Sequence, residues 1–261
     1  MLGAIAGDIV GSIYEFDGIK SKVFELFHPE ATFTDDTVQT VALAESILTG
    51  ESYRDLLLKY YRRYPDVGYS NRFRRWAEEG PHLPYNSMGN GAAMRVSPIG
   101  FAYDDLDTVL AKAAESAVIT HNHPEGIKGA QATATAIFLA RNGSSKTAIK
   151  RYIEHRFGYD LSTPLDRLRP HYRFDATCQG TVPPAIRAFL EAEDWEDAVR
   201  NAVSLGGDSD TLACIAGGIA EAAFGLPEVI AERALSYLDP ELRRVLQEFA
   251  THVRRRPVLP R

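Results

Sequence analysis

Residues Gly206 to Gly225, GGDSDTLACIAGGIAEAAFG, decide how this chain is read. Past Asp210 the stretch is almost wholly small and apolar, the composition of a helix buried on every side. Yet Asp208, Asp210 and Thr211 stand at its mouth. A carboxylate taken out of water is costly unless something pairs with it. The segment therefore asks for a charge partner as well as a core.

Working outward, apolar residues recur at helical spacing, and strand-like alternation is absent. Val38, Val41, Leu43, Ile47 and Leu48 form a stripe ending at Gly50, a plausible C′ glycine. Tyr53 to Tyr64 forms another, stopped before Pro65, and Leu106 to Val118 a third. Pro124 to Arg141 follows, with proline suited to the first turn and Asn142-Gly143 at the exit. Pro183-Pro184 is read as opening a helix over Ala185 to Leu190, and Asp194 as capping one that runs to Gly206. Pro227 to Arg256 holds two shorter helices. The polar stretch from Asn142 to Arg173 is the weakest seam, but nothing in it forces a division. The expectation is a compact all-α helical bundle, one domain over residues 1–261.

Composition narrows the class. The chain has 261 residues, 45% of them hydrophobic, enough to bury a sizeable core. A net charge of −6 argues against general nucleic-acid or anionic-membrane binding, despite the basic-aromatic NRFRRW (Asn71 to Trp76) and the terminal RRRPVLPR. The opening MLGAIAGDIVGSIYEF lacks a basic n-region and carries Asp8, so it reads as neither signal peptide nor anchor. No apolar run is long enough to span a bilayer. Two cysteines in unrelated contexts, Cys178 and Cys214, form no disulfide framework. A soluble cytoplasmic monomer is expected.

A second acidic cluster, FTDDTVQT (Phe33 to Thr40), mirrors the first: Thr34, Asp35 and Asp36 precede an apolar stripe. Helix capping accounts for one short polar side chain at each start. Four carboxylates and two threonines exceed that need. Hard oxygen donors so grouped suit Mg²⁺, Mn²⁺ or Ca²⁺. An EF-hand begun at Asp208 fails, with Leu212 and Ala213 where a ligand and a glycine are required. DDTVQ lacks the third acid of the DDxxD signature of all-α prenyl-transferring enzymes. A metal pair shared between two helix N-termini fits better.

Other stretches add candidates. Glu15 follows a helix bearing Gly3, Gly7 and Gly11. Each glycine costs roughly 1 kcal/mol against alanine, so close helix packing or ligand approach should compensate. In NSMGNGAAMRVSPIG (Asn86 to Gly100), Ser87, Gly89, Asn90 and Gly91 can expose backbone N–H groups ahead of a helix, as in a phosphate-cradling loop. It is no P-loop, because the Lys-Ser/Thr is missing. In THNHPEG, His121 is a candidate hydrogen-bonding residue and His123 the N-cap neighbour of Pro124; no further Cys/His pair completes a zinc site.

Taken in order, GAIAGDIVGSIYEF, FTDDT, NSMGNGAAMRVSPIG, THNHPEG and SLGGDSDTLACIAGGIAEAAFG closely resemble the ADP-ribosylglycohydrolase family, from about residue 3 to about residue 226. The resemblance implies an all-α fold with a centre of two Mg²⁺ or Mn²⁺ ions at the base of a cleft. It implies Thr34, Asp35 and Asp36 as the first metal motif and Asp208, Asp210 and Thr211 as the second. Glu15 matches a glutamate on a loop that closes on the metals or substrate, and Ser87, Met88, Gly89 and Asn90 fall where the family holds the diphosphate and distal ribose. His121 matches a histidine lining the ADP-ribose cleft. Met88 stands where some relatives carry an aromatic residue. The implied reaction is hydrolysis at the anomeric C1″ carbon of ADP-ribosylated acceptors through an oxocarbenium-like state, with Glu15 or Asp36 handling protons. The alternative is a catalytically silent ADP-ribose-binding or structural protein of the same fold.

Overall fold

The computed structural model describes residues 1–254; beyond Arg254, the terminal basic run lies outside them. Among the described residues fifteen α-helices form: α1 (Leu2–Gly11), α2 (Asp35–Thr49), α3 (Tyr53–Arg63), α4 (Asn71–Glu78), α5 (Gly91–Met94), α6 (Ser97–Ala102), α7 (Leu106–Val118), α8 (Pro124–Arg141), α9 (Lys146–Phe157), α10 (Leu165–Leu168), α11 (Cys178–Glu191), α12 (Trp195–Val203), α13 (Ser209–Phe224), α14 (Glu228–Ser236) and α15 (Pro240–Arg254). A 3₁₀ turn at Ser12–Tyr14 follows α1. No strand forms among the described residues; one isolated antiparallel bridge joins Gly89 and Thr177.

Helix α13 is the axis. Every residue from Ser209 to Ala220 is buried, as an all-apolar helix requires. Around it pack α1, α12, α11 and α8. The α1 glycines explain themselves here. A Cβ on Gly7 would lie 2.1 Å from the Ala213 carbonyl oxygen, and one on Gly11 2.4 Å from that of Ser209. Spaced four apart, Gly3, Gly7 and Gly11 let the two backbones touch, and that contact offsets their helix penalty. The Trp195 indole N–H clasps the same seam, donating to the Gly217 carbonyl at 3.1 Å. Docking α1 this way sets where Asp8 and Glu15 stand relative to the mouth of α13.

Several helix ends follow local chemistry. Thr34 caps α2 by accepting from the Asp36 N–H, and Gly50 closes it at φ 79°. His123 caps α8 through Nδ1, and Asp194 caps α12. Helix α11 departs from the sequence expectation: it starts at Cys178, with Pro183 and Pro184 in its interior. Proline there frees carbonyls that an N–H would have bound. The Gly180 carbonyl is taken instead by the Tyr172 hydroxyl at 2.9 Å. The polar seam likewise holds a helix, α9, whose Ile149, Ile153 and Phe157 are buried. NRFRRW becomes α4, with Phe73 and Trp76 inward and Arg72 and Arg75 exposed.

Candidate active site

A cleft of about 570 Å³ opens over the mouths of α2 and α13. Glu15, Asp35, Asp36, Ser87, Met88, Gly89, Asn90, Gly91, His121, Asp208, Asp210 and Thr211 all line it. Thr34 sits behind them, buried.

The first acidic motif is held from beneath by Asp8. This carboxylate is completely buried on α1 and accepts from the backbone N–H groups of Thr34 (3.0 Å) and Thr37 (3.2 Å) and from both threonine hydroxyls. Asp8 thus does what a cap does, but from another helix. Asp35 and Asp36 are left over for other work. Asp35 Oδ2 accepts from the Gln39 amide at 2.7 Å. Asp36 Oδ2 is buried with no hydrogen-bond partner at all.

The second motif converges on the first. Asp208 occupies the N-cap of α13 yet makes no side-chain cap bond. One of its oxygens instead accepts from the Asn90 amide at 2.7 Å, and that amide also reaches Thr181 at 3.0 Å. Oxygens of Glu15, Asp208 and Asp210 lie within 4.8 Å of one another. The Ser209 hydroxyl bonds the Tyr14 carbonyl at 3.1 Å, tying the backbone beside Glu15 to the start of α13. Across the gap, the Thr211 hydroxyl faces Asp36 Oδ1 at 3.5 Å. Residues 34–36 and 208–211 therefore meet in space.

Burial and mutual repulsion work against so many charges. Desolvation, with the hydrogen bonds from Thr34 and Thr37 opposing it, pushes Asp8 up to about 6. Glu15 rises to about 7 through desolvation and the charges of Asp208 and Asp8. Asp35 rises to about 8 through desolvation and Asp8, against the Gln39 hydrogen bond. Asp36 and Asp210 are raised well above the usual carboxylate range, by burial first and neighbouring carboxylates second. Such clustering of perturbed acids in a cleft is a mark of chemistry.

The opposite wall is the glycine loop. Of the N–H groups of Ser87, Gly89, Asn90 and Gly91, three are already used: Ser87 N–H on the Thr120 carbonyl at 3.4 Å, Gly89 N–H on the Ser87 hydroxyl at 3.1 Å and Asn90 N–H on the Ala176 carbonyl at 2.8 Å. His121 packs against the loop, its ring 3.2 Å from where a Gly91 Cβ would stand. Met88 is exposed at the rim. At the mouth the rings of Phe16 and Phe174 stack, centroids 6.5 Å apart, both exposed.

Sequence inspection missed Asp8, Gln39, Arg95, Phe16 and Phe174 as parts of this region. Asp8 and Arg95 carried a usable signal, each being a charge inside an apolar run. The phenylalanines carried none.

An all-helical scaffold with two acidic helix mouths facing a glycine loop across one cleft defines a narrow class. The chain belongs to the ADP-ribosylglycohydrolase family, whose model matches residues 1–258. It is 28% identical to mouse "ADP-ribosylhydrolase ARH3" over 88% of this chain and 84% of that protein. It is 25% identical to "ADP-ribosylarginine hydrolase Tri1" of Pseudomonas putida, over 87% of this chain and 70% of that one. A solved "ADP-ribosylglycohydrolase-related protein complex" superposes with a TM-score of 0.73 at 28% identity, covering 97% of this chain and 96% of its own. No helix among the described residues is long and apolar enough to cross a membrane.

Proposed function

We propose that this chain is a single-domain, metal-dependent hydrolase that cleaves the C1″ ribosidic bond of ADP-ribosylated acceptors and releases ADP-ribose. Its family and its relatives named as ADP-ribosylhydrolases support an enzyme acting on ADP-ribosyl linkages. The observation that carries the metal requirement is Asp36 Oδ2, buried without a partner beside the Glu15–Asp208–Asp210 group. An orphaned buried carboxylate oxygen is expensive, and a hard divalent cation is the partner that oxygen donors favour. The donor set fits two Mg²⁺ or Mn²⁺ ions held by Thr34, Asp35, Asp36, Asp208, Asp210 and Thr211. Thr34 Oγ1 gives its hydrogen to Asp8 and accepts from Asp36 N–H, which leaves one lone pair free. When bound, the ions supply Lewis acidity toward the ribose hydroxyls and toward water.

The chain's own residues do the rest. Glu15, half-buried at the mouth with its carboxylate oxygen within 4.8 Å of those of Asp208 and Asp210, is assigned to take the proton from attacking water. Asp36 lies deeper and is assigned to holding charge. Ser87, Met88, Gly89, Asn90 and Gly91 form the wall against which the diphosphate and distal ribose lie, with Asn90 also steadying Asp208. His121 faces the same wall. A cleft of this volume suits a ligand the size of ADP-ribose. The two buried free thiols, Cys178 and Cys214, agree with a reducing cytoplasm.

Incubation with ADP-ribosylated arginine, ADP-ribosylated serine and O-acyl-ADP-ribose, with Mg²⁺ or Mn²⁺ and with chelator, tests the proposal. Metal-dependent release of ADP-ribose from at least one substrate is expected. Tight ADP-ribose binding without release from any of them would point to a silent binder instead.

A further inference from the structure

We propose that Arg95 is a positioning residue that orders both walls of the cleft: through Gln39 it sets which oxygen Asp35 turns to the site, and through Thr120 it sets which nitrogen of His121 carries the proton. What this ordering accomplishes for substrate rests on the hydrolase function proposed above. The ordering itself rests on hydrogen-bond polarity alone.

Arg95 follows α5 and is among the largest fully buried side chains of the protein, at 0% exposure. Its hydrogen bonds all go to neutral oxygens, not to a carboxylate. Nη1 donates to Gln39 Oε1 at 2.8 Å, and Nη2 donates to the Ser116 carbonyl and to Thr120 Oγ1, both at 2.9 Å. Nε is left unpartnered. A buried cation without an ion pair is poor value for stability, and an apolar residue would serve a core better. A guanidinium has five donors and no acceptor, so every group facing it must present an oxygen. That one-way polarity propagates.

Toward the first wall, Gln39 is forced to turn its carbonyl to Arg95 and its NH₂ to Asp35 Oδ2, 2.7 Å away. Oδ2 is thereby occupied. Oδ1, on the side of Gly68, is the oxygen left for the cleft. Toward the second wall, Thr120 Oγ1 already accepts from Arg95, and His121 Nδ1 lies 2.7 Å from it. The partly buried Tyr85 phenol also faces Thr120 and can donate its hydrogen to the second lone pair of Oγ1. With Arg95 and Tyr85 filling both lone pairs of Thr120 Oγ1, its hydroxyl hydrogen is assigned to Nδ1 and the ring proton to Nε2. Nε2 lies against Gly89 and Gly91, 3.5 Å and 3.2 Å from where their Cβ atoms would stand. Desolvation, with the charges of Arg95 and Arg72, holds the imidazole neutral. One buried cation thus presents a carboxylate oxygen at one wall and an N–H donor at the other. The donor suits an oxygen of a ligand lying along the glycine loop.

The test is ¹⁵N–¹H NMR of the histidine rings in the metal-free full chain near pH 7, with His121 assigned by its loss in His121→Gln. The expected spectrum has His121 protonated on Nε2 and bare on Nδ1. Thr120→Ser should keep that tautomer. Thr120→Val should lose it, with the fold retained by circular dichroism; Arg95→Met, if it folds, should do the same. At the other wall, Gln39→Leu should raise the Mn²⁺ dissociation constant by roughly 10- to 100-fold. A wild-type His121 protonated on Nδ1, or a Thr120→Val protein with an unchanged ring, overturns the proposal. A wild-type protein that binds no Mn²⁺ but shows the expected tautomer shift refutes the metal assignment while supporting the role of Arg95.

Discussion

In the absence of divalent metal, the stability of this protein should fall as pH rises from about 5 to about 8, a direction opposite to that of ordinary salt-bridged acids. The cause is the buried carboxyl group. Asp8, Glu15 and Asp35 are raised to about 6, 7 and 8, and Asp36 and Asp210 are raised well above the usual carboxylate range by burial. By about pH 5 the unfolded chain has released most of these protons, whereas the folded chain still holds them. The folded state then binds more protons, so raising the pH favours unfolding. Each retained proton contributes ~1.4 kcal/mol per pH unit. Asp8 and Asp35, at about 6 and about 8, both hold protons near pH 5 that the unfolded chain has released, so about two retained protons give a slope of ~2.7 kcal/mol per unit there. Glu15, partly solvated, counts for less. Below about pH 4 both states are protonated and the slope vanishes. Urea unfolding followed by circular dichroism, with chelator and with excess Mn²⁺, would measure it. Bound metal displaces the protons, so the metal-induced gain should grow with pH; at 100 times the dissociation constant, mass action alone supplies ~2.7 kcal/mol. A metal-free stability that is flat or rises across this range, or a metal gain independent of pH, would refute the reasoning.

Three further outcomes follow from the same geometry. Gly7→Ala places a Cβ 2.1 Å from the Ala213 carbonyl oxygen, where neither backbone can give, and should cost about 3 kcal/mol or more in thermal unfolding; a loss under about 1 kcal/mol would mean α1 does not dock so closely. Asp210→Asn removes one crowded buried carboxylate whose pKa burial and Asp208 push upward, so the metal-free protein should be more stable to urea at pH 8 than wild type. Calorimetry on the same variant should show weakened Mn²⁺ binding, and unchanged metal affinity would remove Asp210 from the ligand set. Glu15→Gln should lower kcat by roughly 10²- to 10⁴-fold while ADP-ribose affinity stays within a few-fold; full turnover in that variant would take the proton-accepting role away from Glu15.

Much of the helical framework was legible because helix ends are local chemistry. Thr34 and Gly50, Asp194, and the His123–Pro124 pair each satisfy or replace a handful of backbone groups within one turn. Pro183 and Pro184 misled for a complementary reason. Whether a proline may sit inside a helix depends on who takes the freed carbonyls, and that partner, Tyr172, comes from outside the helix. Helix α9 was hidden by its polar face, since only the side chains facing the core reveal it.

The sequence by itself determined the class of fold, the two acid-and-threonine clusters, and the glycine spacing that had to mean close approach. Periodicity, capping and ligand chemistry act over a few residues, so one dimension carries them. Tertiary structure alone decided that Asp8 holds the first cluster from another helix, that Glu15 joins Asp208 and Asp210 within 4.8 Å, and that Arg95 connects Asp35 to His121 through Gln39 and Thr120. These contacts join residues far apart in the chain, and they exist only because burying the α13 surface fixes where each backbone runs. Hydrogen bonds demand placement to within a few tenths of an ångström, and that accuracy comes from the packed core, not from spacing along the chain.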